Sequence, residues 1–244
     1  MNTILVLAFL FYIGSIVGWI LELFFRKIVC SEHKWINPGF LTGPYLPLYG
    51  FGTIVLFFIS LLEKYIFIEN IVLKRVLLFV LMALVMTLLE YVAGLIFVKN
   101  MKIKLWDYSK EKFNIQGIIC PKYSFLWSVL GALYYFLIHP KIINAIIWLS
   151  ENLAFSFFVG MFYGFFVIDV VYSLNLMVKI KKFAKENEFI VKFEELKAGI
   201  IQNAKSRKKK FKFIISIGAD GQIHEHLKGY YEKIEKEIKK RIGK

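Results

Sequence analysis

Apolar residues in this chain come in long blocks, with little of the alternation of half-buried strands or the spaced apolar stripe of soluble helices. A helix needs about 20 predominantly apolar residues to cross the hydrocarbon core of a bilayer. Five stretches approach or meet that length: Thr3 to Phe25, Leu41 to Leu62, Val76 to Val98, Ile118 to Ile138 and Ala154 to Val178. Pro140 reads as a stop after the fourth, and Ile142 to Leu149 is too brief to span by itself. Beyond Val178 the pattern changes to helical spacing. Ile180, Phe183, Ile190, Leu196 and Ile200 predict that an amphipathic helix continues the fifth span through Lys179 to Ser206. After a break at Gly218 to Gly221, Ile223, Leu227, Tyr230, Ile234 and Ile238 recur at the same spacing. The expectation is an all-α polytopic membrane bundle of about five transmembrane helices over residues 1–178, followed by a basic, helical cytoplasmic tail over 179–244.

One stretch interrupts this pattern. NPGFLTGPYLPLYGFG, Asn37 to Gly52, leads into the second span and holds four of the sixteen glycines and three of the five prolines. Irregular backbone at membrane depth is tolerated only where protein or a water-filled cavity satisfies its polar groups. Two readings stand at this point: a bent, partly re-entrant entry on the cytoplasmic side, which would bring Asn37, Tyr45 and Tyr49 near buried acids, or a plain loop capping a shortened second helix.

Composition agrees with a membrane protein: 58% hydrophobic and 18% aromatic residues over 244, with mean hydropathy +0.58. No Lys or Arg precedes the first span, and no small-residue cleavage site follows it, so it is expected to be retained. The net charge of +14 sets the orientation, because cytoplasmic loops carry excess Lys and Arg. The loops after the first and third spans hold nine basic residues, against four on the opposite side (Lys64, Lys74, Arg75, Lys141). The tail from Lys179 has nineteen basic and nine acidic residues, so ten of the fourteen net charges lie there. The N-terminus is expected outside and the C-terminus in the cytoplasm. Arg207, Lys208, Lys209, Lys210 and Lys212, interleaved with Phe211 and Phe213, suit anionic lipid headgroups, and no nucleic-acid-binding motif accompanies them. Cys30 and Cys120 fall on the predicted cytoplasmic side, where a disulfide is not expected.

Ionisable residues within apolar spans are costly and point to function by default. Glu90 lies eight residues before Val98 and Asp169 nine before Val178, which at about 1.5 Å per residue sets both deep in the cytoplasmic half. Glu22 sits nearer that end, four residues before Arg26, a spacing that suits an ion pair on one helix face. Each acid has a structural alternative: interfacial pairing for Glu22, a helix-locking network for Glu90 and Asp169. The loop KLWDYSKEKFNIQGIICPKYS, Lys104 to Ser124, adds interface-preferring Trp106 and Tyr108 and the polar Asp107, Ser109, Asn114 and Gln116. It reads as an interfacial segment under the bundle, or as an amphipathic connector without a ligand. Gly14/Gly18 and Gly160/Gly164 have the spacing that lets membrane helices approach closely.

The candidate binding residues are therefore Glu22, Arg26, Asn37, Tyr45, Tyr49, Glu90, Trp106, Asp107, Asn114 and Asp169, with no catalytic residue assigned. No phosphate-binding loop, HExxH, paired CxxC or GxSxG occurs, so the chain carries no ATPase or hydrolase signature and no cofactor is expected. His224 and His226, two apart, do not share a helix face and are not read as metal ligands.

The linked motifs GWILELFFR (Gly18 to Arg26), NPGFLTGPYLPLYGFG, LLEYVAG (Leu88 to Gly94), LWDYS (Leu105 to Ser109) and NIQGIIC (Asn114 to Cys120) resemble the putative ABC-transporter permease, type IV family. The resemblance covers roughly residues 10 to 135. It implies a bacterial plasma membrane protein with a permease-like role, partnered by a separate ATPase subunit or by self-association. Three function classes remain open from the sequence: a transport component, a small membrane enzyme or lipid-handling protein, and a scaffold or sensor acting through its tail.

Overall fold

A computed structural model describes residues 2–28, 36–206 and 220–242. The basic cluster at 207–213, Cys30 and the Gly218 break all lie outside the described residues. Among the described residues, five helical stretches are long and apolar enough to cross a membrane. The first is α1 (Thr3–Ile28). The second is α2 (Pro47–Leu62), extended by a 3₁₀ turn to Tyr65. The third is α3 (Ile71–Ile96), which runs into a π turn, Phe97–Met101. The fourth stretch joins α4 (Pro121–Leu133) to α5 (His139–Glu151), and the fifth is α6 (Ser156–Glu186), entered through a 3₁₀ turn. Local chemistry sets several starts. Pro sits in the first turn of α2 and α4, where its missing N–H costs nothing. The Asn70 side chain accepts from the Val72 and Leu73 amides at the head of α3.

Two boundaries differ from those the sequence predicts. Pro140 does not end the fourth helix. A π turn, Tyr134–Ile138, precedes it, and the His139 N–H reaches back five residues to the Tyr134 carbonyl. That wider turn accommodates the proline's bulk and missing donor, so the apolar run Ile142 to Leu149 continues the same helix. Nor does a single helix cover Lys179 to Ser206. α6 crosses the expected 178/179 division without a break and stops at Asn187, whose amide and side chain both bond the Phe183 carbonyl. Glu188 follows at φ +54°, a left-handed conformation that no helix continues through.

The chain then forms β2 (Val191–Lys192), paired in parallel with β1 (Ile103–Lys104) in the register Ile103 to Val191 and Lys104 to Lys192. It goes on as α7 (Phe193–Ser206) and α8 (Asp220–Ile242). This two-residue ladder ties the tail to the loop after α3.

The core has two tiers. Within the bundle, Leu10, Leu56, Leu78, Met82, Met86 and Trp127 join α1 to α4. At the end where the tail docks, Ile103, Met177, Ile180, Val191, Phe193, Leu196, Ile223 and Leu227 form a separate cluster. Burying a side chain of this size is worth about 1.5–3 kcal/mol, so the described tail is a docked layer. The outward faces of the long helices carry exposed apolar residues such as Leu84, Leu88, Phe157, Phe165 and Ile168, as lipid contact requires. Of the two glycine pairs, only Gly14/Gly18 serves packing within the chain. A Cβ at Gly14 would overlap Thr53, and one at Gly18 would overlap Tyr49, whereas Gly160 and Gly164 meet nothing within 4 Å.

Candidate functional site

The segment before α2 is irregular, yet it is not a plain loop. Asn37, Leu41, Tyr45 and Leu46 are buried, and surrounding helices take up its backbone groups one by one. From α6, the Asp169 carboxylate accepts from five donors. These are the Thr42 amide at 3.1 Å, the Gly43 amide at 2.8 Å, the Thr42 and Tyr45 hydroxyls at 2.6 Å each, and the Ser173 hydroxyl at 3.0 Å. From α1, the Trp19 indole donates to Asn37 Oδ1 at 2.6 Å, while Asn37 Nδ2 donates to the Leu41 and Thr42 carbonyls. From α7, the Lys197 ammonium donates to the Asn37 carbonyl at 2.9 Å and to the Gly39 carbonyl. Gly39 supports this path with φ +74°, a conformation open to glycine at little cost.

Beside this segment lies a cleft of about 1160 Å³, bounded by the end of α1, the start of α2, α3, α4 and the loop after α3. Glu22 on α1 pairs with Arg26 Nε at 2.7 Å and accepts from the Tyr49 hydroxyl at 2.9 Å. Arg26 also pairs with Glu194 of α7. Glu90 on α3, 3% exposed, accepts from the Tyr108 hydroxyl and the Trp127 indole, each at 3.0 Å. The Tyr49 and Trp127 rings touch at a centroid separation of 5.3 Å. The two carboxylates are thus joined through a pair of aromatic rings, each bonded to one of them. Tyr108 stacks on Tyr123 at 4.1 Å, continuing the aromatic wall toward the loop.

The loop after α3 is held by its own polar residues. Asp107 pairs with Lys104 at 3.1 Å and Lys192 at 2.9 Å and accepts from Ser109. Partial burial opposes its charge, but the hydrogen bonds from Lys192, Ser109 and Lys104 win and hold the carboxyl well below the usual carboxylate range. The Trp106 indole donates to the Ile118 carbonyl at 2.8 Å. Asn114 closes a turn, donating to the Ser109 and Glu111 carbonyls and accepting from the Gly117 amide.

Of the ten residues singled out from the sequence, Glu22, Arg26, Tyr49, Glu90, Trp106 and Asp107 line the cleft. Asn37, Tyr45, Asn114 and Asp169 do not: their polar atoms organise the irregular segment and the loop turn. The sequence reading passed over Trp127, which bonds Glu90, and Glu194, which bonds Arg26, and noted Tyr108 only as an interfacial aromatic although it too bonds Glu90. It also passed over Lys197, although a signal was present. Phe193, Leu196, Lys197 and Ile200 share one helical stripe, so this lysine occupies a core position. Burial first, and then the nearby Arg26 charge, push its ammonium down to about 7 despite the opposing field of Glu194. Among the described residues, no group of three or more His, Cys, Asp or Glu side chains is placed to hold a metal ion.

No curated protein and no solved structure shows a significant match to the chain. A family model described as "Putative ABC-transporter type IV" matches residues 9–174, which takes in all five spans except the start of the first and the end of the last, and every residue lining the cleft but Glu194. With its five helices of membrane-spanning length and composition, the chain belongs to the Putative ABC-transporter type IV family, as a multi-pass component of membrane transport.

Proposed function

We propose that the protein is a permease-like subunit whose working site is the cleft between Glu22 and Glu90, in the cytoplasmic half of a bacterial plasma membrane. The observation that carries this reading is the cleft itself: charged and aromatic groups at its base, apolar walls beside lipid-facing helix surfaces, and room for a ligand. The excess of Lys and Arg in the loops after the first and third spans and in the tail supports an outside N-terminus and a cytoplasmic C-terminus. On that orientation the cleft opens near the cytoplasmic surface.

The chain has no phosphate-binding loop, so the energy for transport would come from an ATPase on a separate chain. The tail offers that subunit a mechanical route to the site. Glu194 pairs with Arg26 at the cleft, and Lys197 holds the backbone of Asn37 and Gly39 ahead of α2. A partner that moved α7 would disturb both contacts at once. The basic cluster at 207–213 would hold the tail against anionic headgroups.

The test is purification of the tagged, full-length protein from its own membranes in a mild detergent, with mass spectrometry of what accompanies it. The expected result is a stoichiometric subunit bearing a phosphate-binding loop. A lone protein whose deletion also changes no uptake or efflux would overturn the reading.

A further inference from the structure

The charges around the cleft do not cancel locally. Asp107 and Glu195 are balanced by Lys104 and Lys192, and Glu111 by Lys122 at 2.8 Å. At the base, Arg26 is shared between two carboxylates, Glu22 and Glu194, leaving that trio with one negative charge when ionised. Glu90 adds a second when it, too, is ionised. Among the described residues it meets hydrogen-bond donors but no cationic side chain, and the Tyr49–Trp127 ring pair links it to Glu22. The Lys197 ammonium is engaged by the Asn37 and Gly39 carbonyls of the irregular segment. Lys110 is exposed at the rim, where solvent screens it.

A carboxylate buried without a counter-charge is costly, and a bound cation removes that cost. The surroundings narrow the kind of cation. The rings of Tyr49, Trp127, Tyr108 and Tyr123 stand between and beside the two carboxylates. Aromatic faces attract weakly hydrated onium ions. The outer wall is apolar and open to lipid, with Leu21, Leu88, Val92 and Val129 all more than a third exposed. Such a wall suits an apolar body attached to the charged head.

We propose that the cleft binds amphiphilic cations, with an amine or quaternary onium head between Glu22 and Glu90 against the Tyr49–Trp127 ring pair and an apolar body along α3 and α4. This names the substrate class of the transport site proposed above and rests on that reading for its biological use.

The test is equilibrium binding of radiolabelled tetraphenylphosphonium to the purified full-length protein in an uncharged maltoside detergent, alongside its near-isosteric anion, tetraphenylborate. Saturable binding of the cation is expected, with none of the anion when it is assayed in a separate sample. Glu90→Gln should weaken binding about tenfold or more, the size of effect that follows from losing one desolvated charge pair, and Glu90→Asp should restore much of it. Equal binding of both ions, or a wild-type affinity in a folded Glu90→Gln protein, would overturn the inference. The wild-type comparison of the two ions decides the matter even if Glu90→Gln does not fold. Its failure is separable from failure of the transport reading. A co-purifying ATPase with no preference for the cation removes the substrate class alone, whereas cation binding by a protein with no ATPase and no flux leaves the site and removes the transport role.

Discussion

Replacing Asp169 should destabilise the fold rather than empty a binding site. The carboxylate is 8% exposed and meets five donors, two of them the backbone amides of Thr42 and Gly43. Hydrogen bonds to a charged group contribute about 1.5–3 kcal/mol each, and a buried donor left unpaired costs about 1–3 kcal/mol. The three hydroxyls can rotate toward other acceptors, so the two amides set the lower bound. Asp169→Ala should therefore cost about 3–5 kcal/mol, in line with breaking other buried polar networks. Asp169→Asn keeps one acceptor oxygen but turns an NH₂ toward the remaining donors, and should cost less, about 1–3 kcal/mol. For a chain of this size, about 2–4 °C accompanies each kcal/mol, which places the alanine variant roughly 10 °C below wild type. Tryptophan fluorescence on heating the detergent-purified protein reads the shift. An alanine variant that melts within about 2 °C of wild type, given the same 2–4 °C scale, would refute the structural role and return Asp169 to the list of ligand-binding residues.

Further predictions follow from the same contacts. Gly18→Ala should cost about 1–3 kcal/mol, because the added methyl overlaps Tyr49, whereas Gly160→Ala, facing open space, should leave thermal stability unchanged. Lys197 titrates near 7 when docked and near its ordinary 10.5 when undocked, so the undocked state holds more protons between those values and docking strengthens as pH rises through that window. From about pH 7 to 8.5, wild type should gain about 1–2 kcal/mol of protection of α7 against hydrogen exchange relative to Lys197→Met, which lacks the titrating group. Asp107 has the same sign in a more acidic window. Its stabilising contacts are present at neutral pH and fade as acid protonates the carboxylate, so Lys192→Ala should flatten the acid limb of tail release as followed by limited proteolysis.

The helices were legible because lipid demands long apolar runs, and each predicted span lies within or largely overlaps an observed helix. Their ends were less so. Pro140 looks like a terminator to any rule based on the α-helical hydrogen bond, and only the π turn before it, which has no compositional signature, lets the helix continue. Glu22, Arg26 and Tyr49 could be read because an acid in a span and an i, i+4 cation are local signals. The role of Asp169 was only partly readable: a helix-locking network stood as an alternative, but four of its five donors lie 124 to 127 residues away and only Ser173 is local. Trp127 was hidden for a related reason: a tryptophan in an apolar helix signals burial or an interface, and its bond to Glu90 spans 37 residues. Lys197 was the one omission with a visible cue, a cation at a core position of an amphipathic stripe.

On the proposed reading Glu90 serves transport while Asp169 serves the fold. The decisive measurement is ATP-dependent flux of tetraphenylphosphonium in membrane vesicles of both orientations, made from cells expressing wild type or Glu90→Gln at equal levels. Flux is expected in one orientation of wild-type vesicles and should be lost in Glu90→Gln vesicles, where the protein remains folded. Flux of equal rate in the two preparations would contradict it.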